Sequence, residues 1–221
     1  MSKFTRLDDE LHAYIIEHGA RQDEVLRAIQ IETEAMGDVA EMQIAPDQGA
    51  FMTLLARIHG AGEILEIGTF TGYSAICLAR GLEPGGRLLC CDISEEYAEI
   101  AARNFERPGV ADRIEIRVGP AIETVRALPE RELFDMAFID ADKTGYLDYY
   151  EETLKRLRPG GLALLDNVLA SGTITDDKPP EKSAARYEAL RAVNDVIAAD
   201  ERVDIAIVPI ADGLTIARKR S

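Results

Sequence analysis

From residue 63 onward the chain alternates short apolar runs with longer stretches whose apolar positions recur every three to four residues. The runs Glu63–Ile67, Arg87–Cys91, Ile114–Val118, Phe134–Ile139 and Gly161–Leu165 predict strands. The stretches between them, Tyr73–Leu82, Glu95–Glu106 with Ser94 as its cap, Ala121–Leu128 and Tyr146–Leu157, predict helices. This alternation argues for an α/β fold, a parallel sheet covered on both faces. The first sixty residues read differently. Thr5 can cap a helix over Arg6–Glu17 that Gly19 stops, Glu24–Met36 carries helical spacing before Gly37, and a third helix follows Pro46. The end also breaks the rhythm. A helix over about Ala184–Ala199 leads to Val203–Val208, then Asp212-Gly213, then Leu214–Ala217. An Asp-Gly step between two β-branched runs is a hairpin signal, so the last two strands should be antiparallel to each other. The polar stretch Ser171–Ser183 reads as a loop. With no internal repeat, residues 1–221 are expected to form one domain: a helical extension over 1–60 and an α/β core over 61–221.

Two acidic clusters end two of these strands: Asp140-Ala141-Asp142-Lys143 and Asp166-Asn167. In a parallel sheet the C-terminal ends of neighbouring strands share one edge, so Asp140, Asp166 and Asn167 could converge as three oxygen ligands. Two carboxylates and an amide oxygen are hard donors suited to Mg²⁺, Mn²⁺ or Ca²⁺. Lys143 would stand beside them, as a base toward an acidic hydroxyl or, alternatively, as a surface lysine paired with Asp142 or Asp148. The loop 171–183 begins four residues after Asn167 and could close over this edge.

The first strand runs into Gly68-Thr69-Phe70-Thr71-Gly72, where glycines would let a ligand approach the backbone. The spacing fails the dinucleotide fingerprint, whose second and third glycines would fall on Phe70 and Tyr73, which argues against a dehydrogenase. There is no P-loop either, so an adenosine ligand without phosphates fits better. Asp92 ends the second strand at about the distance where an acidic residue binds ribose hydroxyls. Glu66, embedded in an apolar strand, calls for a cationic or hydrogen-bonding partner. The plainer alternative is that Glu66 and Asp92 cap neighbouring loops.

The formal charge of −15, from 25 basic and 40 acidic residues, disfavours nucleic acid as a partner. Cys77, Cys90 and Cys91 fit neither a disulfide framework nor a thiolate metal site, since adjacent strand residues point to opposite faces. His12, His18 and His59 match no triad or metal spacing. Without an apolar leader or a run of the ~18 residues a membrane span needs, the chain is expected to be cytoplasmic.

Together, Leu65-Glu-Ile-Gly-Thr-Phe-Thr-Gly-Tyr-Ser74, Cys91-Asp-Ile93, Gly119-Pro-Ala121, Phe138-Ile-Asp-Ala-Asp-Lys143, Arg158-Pro-Gly-Gly161, Asp166-Asn-Val168 and Asp212-Gly-Leu214 resemble the cation-dependent O-methyltransferases of the caffeoyl-CoA and catechol type. The resemblance is collinear from about Met42 to the C-terminus. It implies a doubly wound, Rossmann-like seven-stranded sheet with the last strand antiparallel. It implies metal ligation by Asp140, Asp166 and Asn167, and S-adenosylmethionine (SAM) contacts at Ile44, Glu66, Gly68, Thr69, Ser74, Asp92, Ala121 and Asp142. Ile44 departs from relatives that carry a hydroxyl residue there. It further implies Lys143 as the catalytic base, a homodimer, and a catechol-type small molecule as methyl acceptor. A vicinal diol chelated to the cation would ionise near neutral pH, although a free phenol has a pKa near 10. Two competing readings remain: methylation of a hydroxylated tRNA base, with Arg186 and Arg191 as a local basic patch, and a SAM-binding regulatory module without catalysis.

Overall fold

The computed structural model describes residues 5–176 and 183–221. Its helices are α1 (Asp9–Ile15), α2 (Glu24–Glu34), α3 (Pro46–His59), α4 (Tyr73–Gly81), α5 (Glu95–Glu106), α6 (Ala121–Ala127), α7 (Tyr146–Arg156) and α8 (Ala184–Ala199). The strands are β1 (Glu63–Ile67), β2 (Arg87–Asp92), β3 (Ile114–Val118), β4 (Phe134–Ile139), β5 (Leu157–Leu165), β6 (Val203–Val208) and β7 (Leu214–Lys219). They form one seven-stranded sheet in the order β3-β2-β1-β4-β5-β7-β6. β7 alone runs against its neighbours, pairing antiparallel with both β5 and β6. The hairpin expected at Asp212-Gly213 is therefore present.

Both faces are covered because the central strands are apolar on both. Ile64, Cys90, Phe138 and Leu164 pack with α2, α3, α4 and α5, whereas Leu65, Cys91, Ile139 and Leu165 pack with α6, α7 and α8. Cys90 and Cys91 fall on opposite faces, as strand alternation requires. Each fully buried Leu, Ile or Phe contributes about 1.5–3 kcal/mol, which makes the central strands the rigid part of the molecule.

The helical ends differ from expectation. Asp8, not Thr5, caps α1, its carboxylate accepting from Leu11 N at 2.9 Å; the negative charge suits a helix start better than a hydroxyl. Gly19 does not stop the helix but lies within a π-helical turn, Ile16–Ala20, which ends where Arg21 turns left-handed. α2 stops at Glu34, two residues early. β5 starts at Leu157, four residues before Gly161, so Pro159 and Gly160 belong to the strand. The proposed loop is described only to Asp176. There Ser171 N donates to Asp212 Oδ1 at 2.6 Å and Arg191 Nε to Ile174 O at 2.8 Å, so this part folds in against the hairpin and α8. Residues 177–182 lie outside the described residues.

β1 and β4 approach most closely just past their ends. At Gly68, with φ +93°, a Cβ would stand 2.2 Å from the Asp140 carbonyl oxygen. Glycine is thus required first by the protein's own backbone, rather than by a ligand's approach. Gly68→Ala is expected to lower stability by roughly 2–4 kcal/mol, against about 1 kcal/mol for Gly85→Ala, whose φ is also positive but whose Cβ meets nothing within 4 Å. Urea denaturation of the two variants measures the difference; equal losses would refute the close-approach argument.

Candidate active site

Hydrogen bonds continue across the sheet beyond the strand ends and set the site in place. Gly68 N donates to Cys91 O at 2.9 Å, Asp140 N to Ile67 O at 2.8 Å, and Asp166 N to Ile139 O at 3.1 Å. The glycine turn, Asp140 and Asp166 are thereby held side by side at the edge where the strand order reverses, the usual ligand crevice of open α/β sheets.

Asp166 is buried, the Asp140 side chain beside it is 15% exposed, and the charge on Asp140 raises the cost of ionising Asp166. Burial pushes Asp140 above the ordinary carboxylate range, against the charges of Lys143 and Arg186. Burial and then the Asp140 charge push Asp166 up to about 7, against the Gln48 amide, the Asn167 N–H and Lys143. Lys143 Nζ donates to Asp140 Oδ1 at 2.6 Å and to the Tyr146 hydroxyl at 2.7 Å, and its side chain is only 9% exposed. It is neither a surface lysine nor paired with Asp142 or Asp148. The Tyr146 hydroxyl lies 3.1 Å from the Ile139 and Asp166 carbonyl oxygens, so this phenol fixes the lysine to both strand ends. Asn167 adopts a left-handed φ of +58°, which asparagine tolerates better than most residues. Its amide faces Asp212. Among the described residues no three His, Cys, Asp or Glu side chains gather as a metal group. Two adjacent carboxylates with a neighbouring amide oxygen nevertheless match the donor set of a hard cation.

The turn after β1 is tied to β2. Asp92 Oδ2 accepts from Thr69 N at 2.9 Å and Phe70 N at 2.8 Å, and Oδ1 accepts from Ser94 N at 2.9 Å. The loop-capping alternative therefore holds for Asp92. Of its roughly four lone-pair positions about one remains for a ligand hydroxyl. These bonds also hold Phe70 at φ +48°, a conformation rare for a bulky residue. Asp142 is used in the same way, accepting from Gly145 N at 3.0 Å and from the Tyr149 hydroxyl at 2.6 Å.

The turn and the acidic pair open onto one cavity of about 1180 Å³. Ile44, Gly68, Thr69, Ser74, Asp92, Ala121, Asp140, Asp142, Lys143, Asp166 and Asn167 all line it. Glu66 does not. It lies behind the turn at 0% exposure, where Oε2 accepts from Cys90 Sγ at 3.2 Å and Oε1 has no partner among the described residues. Gln48, Arg186 and Asp212 also line the cavity. Reading by strand ends missed them because they come from a helix start, a helix after the loop, and the hairpin.

The model of the O-methyltransferase family matches residues 16–220. The chain belongs to the O-methyltransferase family. It is 36% identical over 220 residues to a caffeoyl-CoA O-methyltransferase of Zea mays, covering 96% of this chain and 83% of that one. It is 35% identical over 206 residues to a catechol O-methyltransferase of Niastella koreensis, covering 90% and 91%. An O-methyltransferase of Bacillus cereus solved in complex with SAH superimposes with a TM-score of 0.85 at 35% identity, covering 96% and 97%.

In this O-methyltransferase, burial pushes Glu66 up to about 8 from 4.5, against the polar side chains of Ser74, Cys90 and Thr69. A carboxyl whose folded pKa is raised stabilises the fold fully below its unfolded pKa and loses that contribution as pH rises toward the folded one. The slope covers pH 4.5 to 8 and totals up to about 5 kcal/mol. Glu66→Gln should flatten it, as measured by urea midpoints of ligand-free protein at pH 5 and 8. An unchanged difference between the two pH values would place the titration elsewhere.

Proposed function

We propose that this enzyme transfers a methyl group from SAM to a hydroxyl of a catechol-type small molecule held on a divalent cation, Mg²⁺ or else Mn²⁺ or Ca²⁺. The observation that carries the reading is the meeting, in one cavity, of a glycine turn tied to Asp92 and the Asp140–Asp166 pair with Lys143 between strand ends. That cavity exceeds the ~300–1000 Å³ usual for one ligand, which suits a cofactor and an acceptor together. The SAH held by the Bacillus cereus structure supports SAM as donor, and the names of the plant and bacterial relatives support the acceptor class.

Asp140, Asp166 and Asn167 would hold the cation. When bound, it supplies a Lewis acid that lowers the pKa of an acceptor phenol. The chain's own residues do the rest. The strand-end hydrogen bonds fix the turn and the acidic pair on one rigid edge, so both reactants are oriented before reaction. Lys143 stands beside Asp140, where the acceptor's proton has to go; as an amine it takes that proton, and as an ammonium it pairs with the phenolate. The Tyr146 hydroxyl keeps the lysine in that position.

Methylation of a hydroxylated tRNA base has less support. Besides the charge of −15, Arg191 donates to the carbonyls of Ile174 and Asp176 and stacks on the Tyr187 ring at 4.9 Å. It is a clamp on the loop rather than a free cation for phosphates. The cytoplasmic setting and the homodimer belong to the same reading. Three buried free cysteines suit a reducing compartment, and among the described residues no helix is long and apolar enough to cross a membrane.

Excess EDTA should abolish transfer of label from SAM to a free catechol, and Mg²⁺ should restore it; full turnover in EDTA would refute the metal mechanism. Lys143→Ala should lower kcat at least about 100-fold with SAM affinity unchanged by calorimetry. Lost SAM affinity at unchanged kcat would instead make Lys143 a cofactor ligand. RNA serving as acceptor where free catechols fail would establish the tRNA reading.

A further inference from the structure

Gln48 sits third in α3, after Ala45 as N-cap and Pro46 as the first helical residue. A glutamine there ordinarily reaches back to the N-cap backbone N–H, closing the helix start. Here it makes no such bond, and Ala45 has no side chain with which to cap in return. The Gln48 side chain instead turns into the sheet edge. The residue is 1% exposed, lines the same cavity as Asp140 and Asp166, and its Nε2 has no hydrogen-bond partner among the described residues. The Asp166 carboxyl lines the same cavity beside it, with no hydrogen bond yet joining the two. A buried amide left without a partner is uncommon, and each instance calls for an explanation. Three groups already converge on the acidic pair from the β4 and β5 ends: Lys143, Tyr146 and the Asn167 N–H, the last donating to Asp166 Oδ1 at 2.7 Å. Gln48 comes instead from α3, which packs on the face of the sheet opposite to α7.

We propose that Gln48 is a positioning residue for the cation site, its unpartnered amide poised to donate to Asp166 and orient that carboxylate toward the metal, so that α3 completes a site otherwise built from strand ends. Groups that hydrogen-bond to a metal-ligating carboxylate typically change metal affinity 10- to 100-fold when removed. The inference rests on the cation reading of Asp140, Asp166 and Asn167. It also links the helical extension to the proposed metal site, since α3 packs in one core with α4 and its first turn lines the cavity that Asp166 lines.

The test is Mn²⁺ binding to the full chain, read by electron paramagnetic resonance of the free ion without SAM or acceptor. Gln48→Leu should weaken Mn²⁺ about tenfold or more, while SAM affinity in EDTA and the thermal midpoint stay near those of the wild type. Gln48→Glu, which keeps the shape but replaces the donor by an acceptor, should weaken Mn²⁺ as well. Mn²⁺ affinity unchanged in both variants would overturn the proposal. Tighter binding in Gln48→Glu would overturn it too, making residue 48 an oxygen ligand of the metal. If Gln48→Leu fails to fold, Gln48→Glu alone decides. Should wild-type protein bind no Mn²⁺, or Asp140→Asn with Asp166→Asn leave Mn²⁺ affinity intact, the cation site itself fails and this proposal with it.

Discussion

Two carboxylates held side by side, one buried and one largely shielded from water, are the constraint around which this structure is arranged. Asp140 and Asp166 end adjacent strands, and parallel register gives them no means of separating: Asp140 N is bonded to Ile67 O and Asp166 N to Ile139 O. Isolated buried charges are among the costliest features a fold can hold, so such a pair persists only where cations and donors surround it. The surroundings supply them. Lys143 closes an ion pair at 2.6 Å, Tyr146 braces the lysine, the Asn167 N–H reaches Asp166, and Gln48 faces it from α3. The cavity nevertheless carries seven acidic residues against two basic ones among its described lining. The imbalance is what a divalent ion and a sulfonium cofactor would relieve.

How much of this was legible in the sequence follows from how local each interaction is. Asp140 and Asp166 could be read because strand ends are local signals and parallel strands share an edge. Asp92 could be placed but its work could not: its carboxylate binds the N–H groups of Thr69 and Phe70, more than twenty residues earlier in the chain, before any ribose is considered. The glycines illustrate the same limit. Gly68 reads as a ligand-facing position, yet its hydrogen faces the Asp140 carbonyl, a contact that exists only once β1 and β4 pair. Gly72 likewise abuts Phe105 and Ala101 of α5. Gln48 was not legible at all, since glutamine at the third helical position already has an ordinary explanation as a cap.

Glu66 separates two meanings of proximity. It lies next to the turn in sequence and behind it in space, one layer below the cavity that Gly68 and Thr69 line. A carboxylate there can act on a bound cofactor through the turn's hydrogen-bonding groups or by a small movement of the turn. Its raised pKa means that, without a ligand, it is protonated across much of the neutral range. A nearby positive charge would favour the ionised form, so binding of a cationic cofactor and proton release from Glu66 are thermodynamically linked.

The same logic orders the two halves of the site. Arg186 and Lys143 already offset part of the charge on Asp140, and Lys143 can do so only while it remains an ammonium. On the proposed reading, a cation held by Asp140, Asp166 and Asn167 would compete with the lysine for Asp140. The metal and the lysine would then meet through one carboxylate at the end of β4. Such sharing fits a lysine placed three residues after the aspartate and braced by the Tyr146 hydroxyl, because a group that shares a ligand with the metal has to keep a fixed distance from it.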